Sequence, residues 1–369
     1  MRTTLKRIRL NGFKSIKETE VTLGSLNVLI GANGAGKSNF ISFFKLLNEM
    51  MAGRLQHHIA VSGRAESVLY FGAKETQQII TRLEFEAEKG NNTYESRLFL
   101  APGDSLFFAE ENLSFNPDGN RRPKRVKLGT GHQETRIGEA AENGDKVAKT
   151  LLHFLNRCRV YHFHDTSPTA RVRKHCYADD KRWLMHDAGN LAAILYRLRN
   201  DENNAYKQIV RTVRLIAPFF EDFDLEPTGA GKTEIILNWR QKESDQLFGP
   251  HQFSDGTLRA ICLISLLMQP VGELPLIIII DEPEIGLHPY ALSIIAALCK
   301  KASYHTQLLI STQSTSFLNH FEPDEIIITN RSLKDTSFER LDAEKLSAWL
   351  EEYSFGEVWE KNIIGGGPH

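Results

Sequence analysis

Leu26-Asn-Val-Leu-Ile30-Gly31-Ala-Asn-Gly-Ala-Gly36-Lys37-Ser38-Asn39-Phe40 is the stretch that decides the fold of this 369-residue chain. Leu26–Ile30 is apolar apart from Asn27, the pattern of a strand buried at the centre of a sheet. Phe40, Ile41, Phe43, Phe44, Leu47 and Met51 then recur at helical spacing. The loop between them fits G-x-x-x-x-G-K-[ST] at every position, in the strand–loop–helix context a P-loop requires. Glycines there let successive backbone N–H groups curl around phosphates, and the helix N-terminus adds its positive end. Lys37 supplies a point charge to the β- and γ-phosphates, and the Ser38 hydroxyl completes a Mg²⁺ shell.

Upstream, Leu5, Ile8, Leu10, Val21 and Leu23 read as strands, and Ile80–Ala87 with Arg97–Leu100 extend them as antiparallel strands. From about Gly103 to Asp145 the chain is polar and rich in Gly, Pro and Asn, which predicts a loop or small excursion. The periodicity predicts helices over Lys146–Arg157, Ala188–Asn200, Asn203–Ile216, Leu258–Met268 and Tyr290–Lys301, and a last one near Ala343–Tyr353. Leu276–Ile280, Leu308–Ser311 and Glu325–Thr329 read as strands. The expected plan is an α/β core built from both chain ends around an inserted, mostly helical lobe. Its parts are residues 1–145, the lobe 146–268, and 269–369. No internal repeat and no heptad run appears.

Two further stretches carry chemistry. Leu276–Ile280 delivers Asp281 and Glu282 to a strand's C-terminal edge, where open α/β sheets bind ligands. Side chains alternate along a strand, so the two acids have different tasks: Asp281 on the Mg²⁺ shell, Glu282 polarising the water that attacks the γ-phosphate. Phe253-Ser254-Asp255-Gly256-Thr257 opens an apolar helix and can offer Ser254 and the Gly256 N–H to a phosphate, although any capped helix would read alike. Thr228-Gly-Ala-Gly-Lys-Thr233 lacks the first glycine and the following helix, so it reads as a hairpin turn.

Composition narrows the function classes. Forty-five Lys plus Arg against 46 Asp plus Glu give a net charge of −1, so any nucleic-acid contact has to come from a local patch such as Arg121–Lys127 or Arg171–Lys174. The longest apolar runs are far shorter than the roughly 20 residues of a spanning helix. Lys6, Arg7 and Arg9 interrupt the N-terminus before a signal-peptide core can form. Four cysteines without CxxC spacing read as free thiols in a reducing cytosol, which makes a cytoplasmic location the expectation.

The order of these motifs resembles the ABC-type ATPase heads of the SMC, RecF and OLD group, closest to short bacterial members without coiled-coil arms. Leu10-Asn-Gly-Phe-Lys-Ser-Ile16 is similar to their N-terminal strand turn, and Gly31–Asn39, with Asn33 and Asn39, to their Walker A. Phe253–Thr257 resembles a divergent signature motif, and Asp281-Glu-Pro-Glu-Ile-Gly-Leu-His-Pro289 their Walker B and D-loop. The resemblance implies ATP and Mg²⁺ as cofactors and a nucleotide cradle of Gly31, Asn33, Gly34, Ala35, Gly36, Lys37, Ser38 and Asn39, with Ser38 and Asp281 on the metal. It also implies a head-to-tail homodimer in which Ser254 and Gly256 of one subunit reach the other's γ-phosphate, and a role in DNA repair or anti-phage defence. The chain after Tyr353 is too short for the TOPRIM domain OLD proteins append, so a nuclease or toxin is expected as a separate effector partner, with DNA a further candidate and no membrane. Ser311-Thr-Gln-Ser314 departs from the family's Ser-Thr-His-Ser: Gln313 stands at the γ-phosphate sensor and carries no charge, which implies slow or partner-stimulated hydrolysis. Arg159-Val-Tyr-His-Phe-His-Asp165 stands where a Q-loop is expected and contains no Gln. His162 and His164 share a strand face and can mimic a metal pair; the alternative is that His164 and Asp165 are structural or line the nucleotide. Two competing readings are a transporter's nucleotide-binding subunit, against which Phe253–Thr257 and Glu284–Pro289 argue, and a non-hydrolysing ATP-bound scaffold, supported by Gln313.

Overall fold

The computed structural model describes residues 2–118, 122–342, 344, 349 and 352–367. The chain divides into two compact units: Met1–Val160 with Pro275–Ile279 and Gln307–His369, and Tyr161–Leu274 with Ile280–Thr306.

The first unit holds two six-stranded sheets. One is antiparallel, ordered β2-β1-β4-β5-β6-β7, from β1 (Thr4–Phe13), β2 (Ile16–Thr22), β4 (Gln78–Ala87), β5 (Gly90–Ala101), β6 (Ser105–Pro117) and β7 (Lys124–Gly129). Its inner face carries Leu5, Ile8, Leu10, Leu83, Phe85, Tyr94 and Leu98, all buried. The outer face pairs charges across strands, as in Arg9 with Glu18 and Arg82 with Glu95.

The other sheet is ordered β17-β16-β3-β15-β14-β8, from β3 (Leu26–Ile30), β8 (Cys158–Tyr161), β14 (Ile277–Asp281), β15 (Gln307–Thr312), β16 (Ile326–Ser332) and β17 (Asp335–Arg340). β3 lies between β15 and β16 and parallel to both, and all five of its residues are buried, as an apolar strand at a sheet centre requires. Asn27 is tolerated there because its carboxamide donates to Leu308 O at 2.9 Å and accepts from Gly24 N at 2.8 Å. The helix α1 (Lys37–Met51) packs Phe40, Phe43, Phe44 and Leu47 into a core shared by both sheets.

The polar stretch from Gly103 to Asp145 is not a loop. It forms β6, β7 and the helix α4 (Ile137–Glu142). Its core-facing set includes Leu106, Phe108, Glu111 and Leu113, so a buried carboxylate interrupts the apolar alternation. Glu111 is 1% exposed and accepts from Tyr94 Oη at 2.9 Å and Arg136 N at 3.0 Å. Glu134 satisfies the first N–H groups of α2 (Leu55–Val61), at Leu55 N 2.8 Å and Gln56 N 2.9 Å. The helix α5 (Lys146–Leu155) buries Val147, Ala148, Leu151 and Leu155 in this unit's core and belongs to it rather than to the following lobe.

The second unit contains the helices α6 (Leu191–Asp201), α7 (Asn203–Ile216), α8 (Asp255–Leu267) and α9 (Pro289–Ser303). Small sheets accompany them: β10 (Phe220–Asp224), β12 (Asn238–Gln241) and β13 (Leu247–Phe248) in one, β9 (Cys176–Tyr177) and β11 (Glu234–Ile235) in another. The lobe is therefore less purely helical than its periodicity predicts. The expected last helix near residues 343–353 falls largely outside the described residues.

Candidate functional site: the glycine loop and its supports

In the first unit, Gly31–Gly36 joins β3 to α1. Thr312 and Ile328 both lie in register with Ile30, so Gln313, Gly31 and Thr329 emerge together at one edge of the sheet. A Cβ on Gly31 would stand 2.4 Å from the Thr329 carbonyl oxygen, and one on Gly36 (φ 113°) would stand 2.3 Å from Thr336 Oγ1. Gly34 has open space around it and needs only its positive φ of 77°. Each glycine of the motif thus has its own cause.

Lys37 is the first residue of α1 and only 4% exposed. Its ammonium reaches back across the loop, donating to Gly31 O at 2.5 Å and Ala32 O at 3.2 Å. A buried cation at the first turn of α1, beside the positive end of that helix, gives this loop the electrostatics of an anion site.

Three supports of the loop lie far away in sequence and carry no motif. Thr336 Oγ1 donates to Ala35 O at 3.0 Å and pairs with Ser15 Oγ at 2.8 Å, to which Asn39 Nδ2 donates at 2.7 Å. Arg331 donates to Gly34 O at 3.0 Å. Tyr70 Oη donates to Asp335 on the same hairpin, and burial together with that carboxylate pushes the phenol up to about 12.

In the second unit, Asp281 is 8% exposed and Glu282 follows at φ 44°, a left-handed conformation that costs a non-glycine residue about 1–3 kcal/mol. Strain of this kind collects at functional positions. His164 Nε2 lies 2.8 Å from Asp281 O, which occupies that ring nitrogen and favours a structural role over a metal pair. Among the described residues no group of three or more His, Cys, Asp or Glu gathers as a metal site.

Ser254 is the N-cap of α8: its Oγ accepts from Thr257 N at 3.2 Å and pairs with Thr257 Oγ1 at 2.8 Å. Phe253 before it stacks on Trp239 with ring centroids 4.5 Å apart, fixing the turn's entry. Gly256 is required because a Cβ there would stand 2.3 Å from Gly286 O. Arg259, which no sequence pattern singles out, donates to His164 O at 2.8 Å and Ile285 O at 3.2 Å. The signature-like turn, the Glu282–Pro289 turn and the His164 segment therefore form one bonded cluster. Arg173, expected in a surface basic run, is instead 5% exposed: it holds Thr166 O at 2.7 Å, Phe253 O at 3.3 Å and the Asp255 carboxylate at 2.8 Å. Burying the guanidinium satisfies carbonyls that would otherwise be orphaned, so Arg173 is not free to grip a phosphate, while Arg171 and Lys174 stay exposed. In the other basic run Lys124, Arg125 and Lys127 lie exposed on β7, where edge-strand charges discourage further pairing, and Arg121 lies outside the described residues. Thr228–Thr233 is a turn closed by Thr228 N to Glu234 O at 2.7 Å, with no helix after it.

A mixed sheet with a glycine-loop strand at its centre, joined to an antiparallel sheet, defines an ABC-type ATPase head of the SMC/RecF/OLD group. Residues 26–319 match the family described as "AAA domain, putative AbiEii toxin, Type IV TA system", and the chain belongs to that family. It is 23% identical to the Old nuclease of Escherichia phage P2, over 86% of this chain and 58% of the relative. It is 25% identical to the DNA replication and repair protein RecF of Renibacterium salmoninarum, over 56% of this chain and 55% of that one. The chain thus spans a little over half the length of these relatives. Its fold is that of an Smc head solved with the C-winged helix domain of ScpA (TM-score 0.61, 15% identity, 94% of this chain and 99% of that one). An Smc head with an extended coiled coil derived from Pyrococcus furiosus is also similar (TM-score 0.58, 14% identity, 95% and 99% covered). Among the described residues no helix is long and apolar enough to cross a membrane.

Proposed function

We propose that this ATPase head binds Mg-ATP on Gly31–Asn39, hydrolyses it, and closes head-to-tail with a second copy around the nucleotide to control DNA or a separate effector. The observation that carries the reading is the loop itself: two glycines held against Thr329 and Thr336, and the buried Lys37 bonded across it. The hydroxyl of Ser38 and the carboxylate of Asp281 are hard oxygen donors suited to Mg²⁺, which when bound neutralises phosphate charge. Lys37 holds the β- and γ-phosphates, with Gly31, Asn33, Gly34, Ala35, Gly36 and Asn39 completing the cradle. Glu282 accepts a proton from the attacking water, and Gln313 donates to a γ-phosphate oxygen without supplying charge, so turnover is slow or partner-stimulated. Ser254 and Gly256 reach the partner's γ-phosphate. The kinship with Old nuclease and RecF supports a role in anti-phage defence or DNA repair, with any nuclease or toxin chemistry in a separate protein.

Glu282→Gln tests this reading: turnover should fall at least about a hundredfold while an ATP-bound dimer accumulates on a sizing column. Unchanged turnover removes Glu282 from the mechanism, and a monomer with ATP in both proteins removes the dimer.

A further inference from the structure

The first unit contains a cavity of about 420 Å³ that uses no residue of the glycine loop. It opens between the β4–β5 turn, the start of β7 and the N-terminal turn of α5. Its size falls within the range of small-molecule sites. Phe115 and Phe154, both half-buried, contribute aromatic wall, and Val147 apolar floor.

Asn92 is the unexpected member. It lies on the core face of β5 with Tyr94, is 4% exposed and lines this cavity, yet its carboxamide has no hydrogen-bond partner among the described residues. The amide is not sealed in the core: it keeps access to the cavity, where its donor and its acceptor can both meet an entering group. Around the mouth stand Lys89, Lys124 and Lys146, none of them in an ion pair among the described residues, with Glu88 the single acid lining the cavity.

We propose that this cavity is a second nucleotide site: a nucleobase enters between the phenyl rings and presents its edge to Asn92, and its phosphate meets the lysines. Stacking on aromatic faces, edge recognition by a carboxamide and a cationic rim are the three elements that reading a base and its phosphate demands. A free mononucleotide and the phosphorylated end of a single strand share this chemistry.

The test uses the full chain carrying Lys37→Ala, which silences the glycine loop, and two probes: AMP, and a short single strand with a 5′-phosphate. Saturable binding of either is expected, AMP alone marking a free nucleotide and the strand alone a strand end. Asn92→Leu should weaken binding about tenfold or more, one lost pair of bonds. Lys89→Gln with Lys146→Gln, at exposed positions that leave the core intact, should weaken binding and flatten its salt dependence. The proposal is overturned if neither probe binds at millimolar concentration, if binding ignores all three substitutions, or if inorganic phosphate competes as well as AMP.

Discussion

Gly36→Ala isolates the contact that shapes the glycine loop. An alanine at φ 113° carries backbone strain of about 1–3 kcal/mol. Its Cβ would stand 2.3 Å from Thr336 Oγ1 and 2.6 Å from Thr336 Cγ2, so the threonine must turn away. Turning away breaks its bonds to Ala35 O at 3.0 Å and Ser15 Oγ at 2.8 Å, about 1–3 kcal/mol for a buried hydroxyl site. The sum is about 2–6 kcal/mol. Thr336→Ala alone loses the same two bonds and costs about 1–3 kcal/mol. The double variant has no hydroxyl left to displace, so it should cost about as much as Gly36→Ala alone, a coupling of about 1–3 kcal/mol. Gly34→Ala is the control: nothing lies within 4 Å, and only the left-handed penalty of about 1–2 kcal/mol applies. Urea unfolding with unchanged m-values measures all four. If the Gly36 and Thr336 effects add within about 0.5 kcal/mol, the two side chains do not meet and the reasoning is wrong.

Arg259→Ala should leave ATP affinity at the glycine loop unchanged but lower turnover at least tenfold, because the carbonyls of His164 and Ile285 lose their donor; equal losses in both would place Arg259 elsewhere. Thr166 and then Arg173 hold the Asp255 carboxyl below its ordinary value, so its contribution is present above pH about 4 and lost as pH falls through the lowered value. Asp255→Asn should therefore remove part of the acid limb of a stability–pH curve and leave its neutral limb's shape unchanged. Burial pushes the Cys262 and Cys299 thiols up to about 12 and Cys158 further still; it raises Cys176 too, but that thiol is the one of the four not fully buried. A thiol reagent at pH 8 should titrate one cysteine per folded chain, and none in Cys176→Ser; fast reaction of more than one contradicts the burial.

What could be read from the sequence divides by range. Leu26–Ile30, the glycine spacing and the α1 apolar set are local patterns, and local sterics and periodicity enforce them wherever the chain folds. Asn203–Ile216 is matched to the residue by α7 for the same reason. The 103–145 stretch was illegible because Glu111 occupies a core position that only Tyr94, Thr135 and Arg136, distant in sequence, make tolerable. A pattern rule scores that carboxylate as an exposed residue and loses the strand. Arg173 misleads in the same way: charge alone suggests surface, while its carbonyl partners at Thr166 and Phe253 exist only after folding.

The same division explains why the motif understates its own site. Its glycines report that something comes close, but Thr329, Arg331 and Thr336, some 300 positions further on, decide what does. Register makes this arrangement rigid: Ile30 pairs with Thr312 on one side and Ile328 on the other, so slipping β15 or β16 by one residue would move Gln313 or Thr329 away from Gly31. A one-residue insertion after Ile328 should therefore impair the loop while leaving every motif residue in place. Nucleotide binding that survives such an insertion would show that the Gly31–Asn39 sequence forms its cradle without the hairpin behind it.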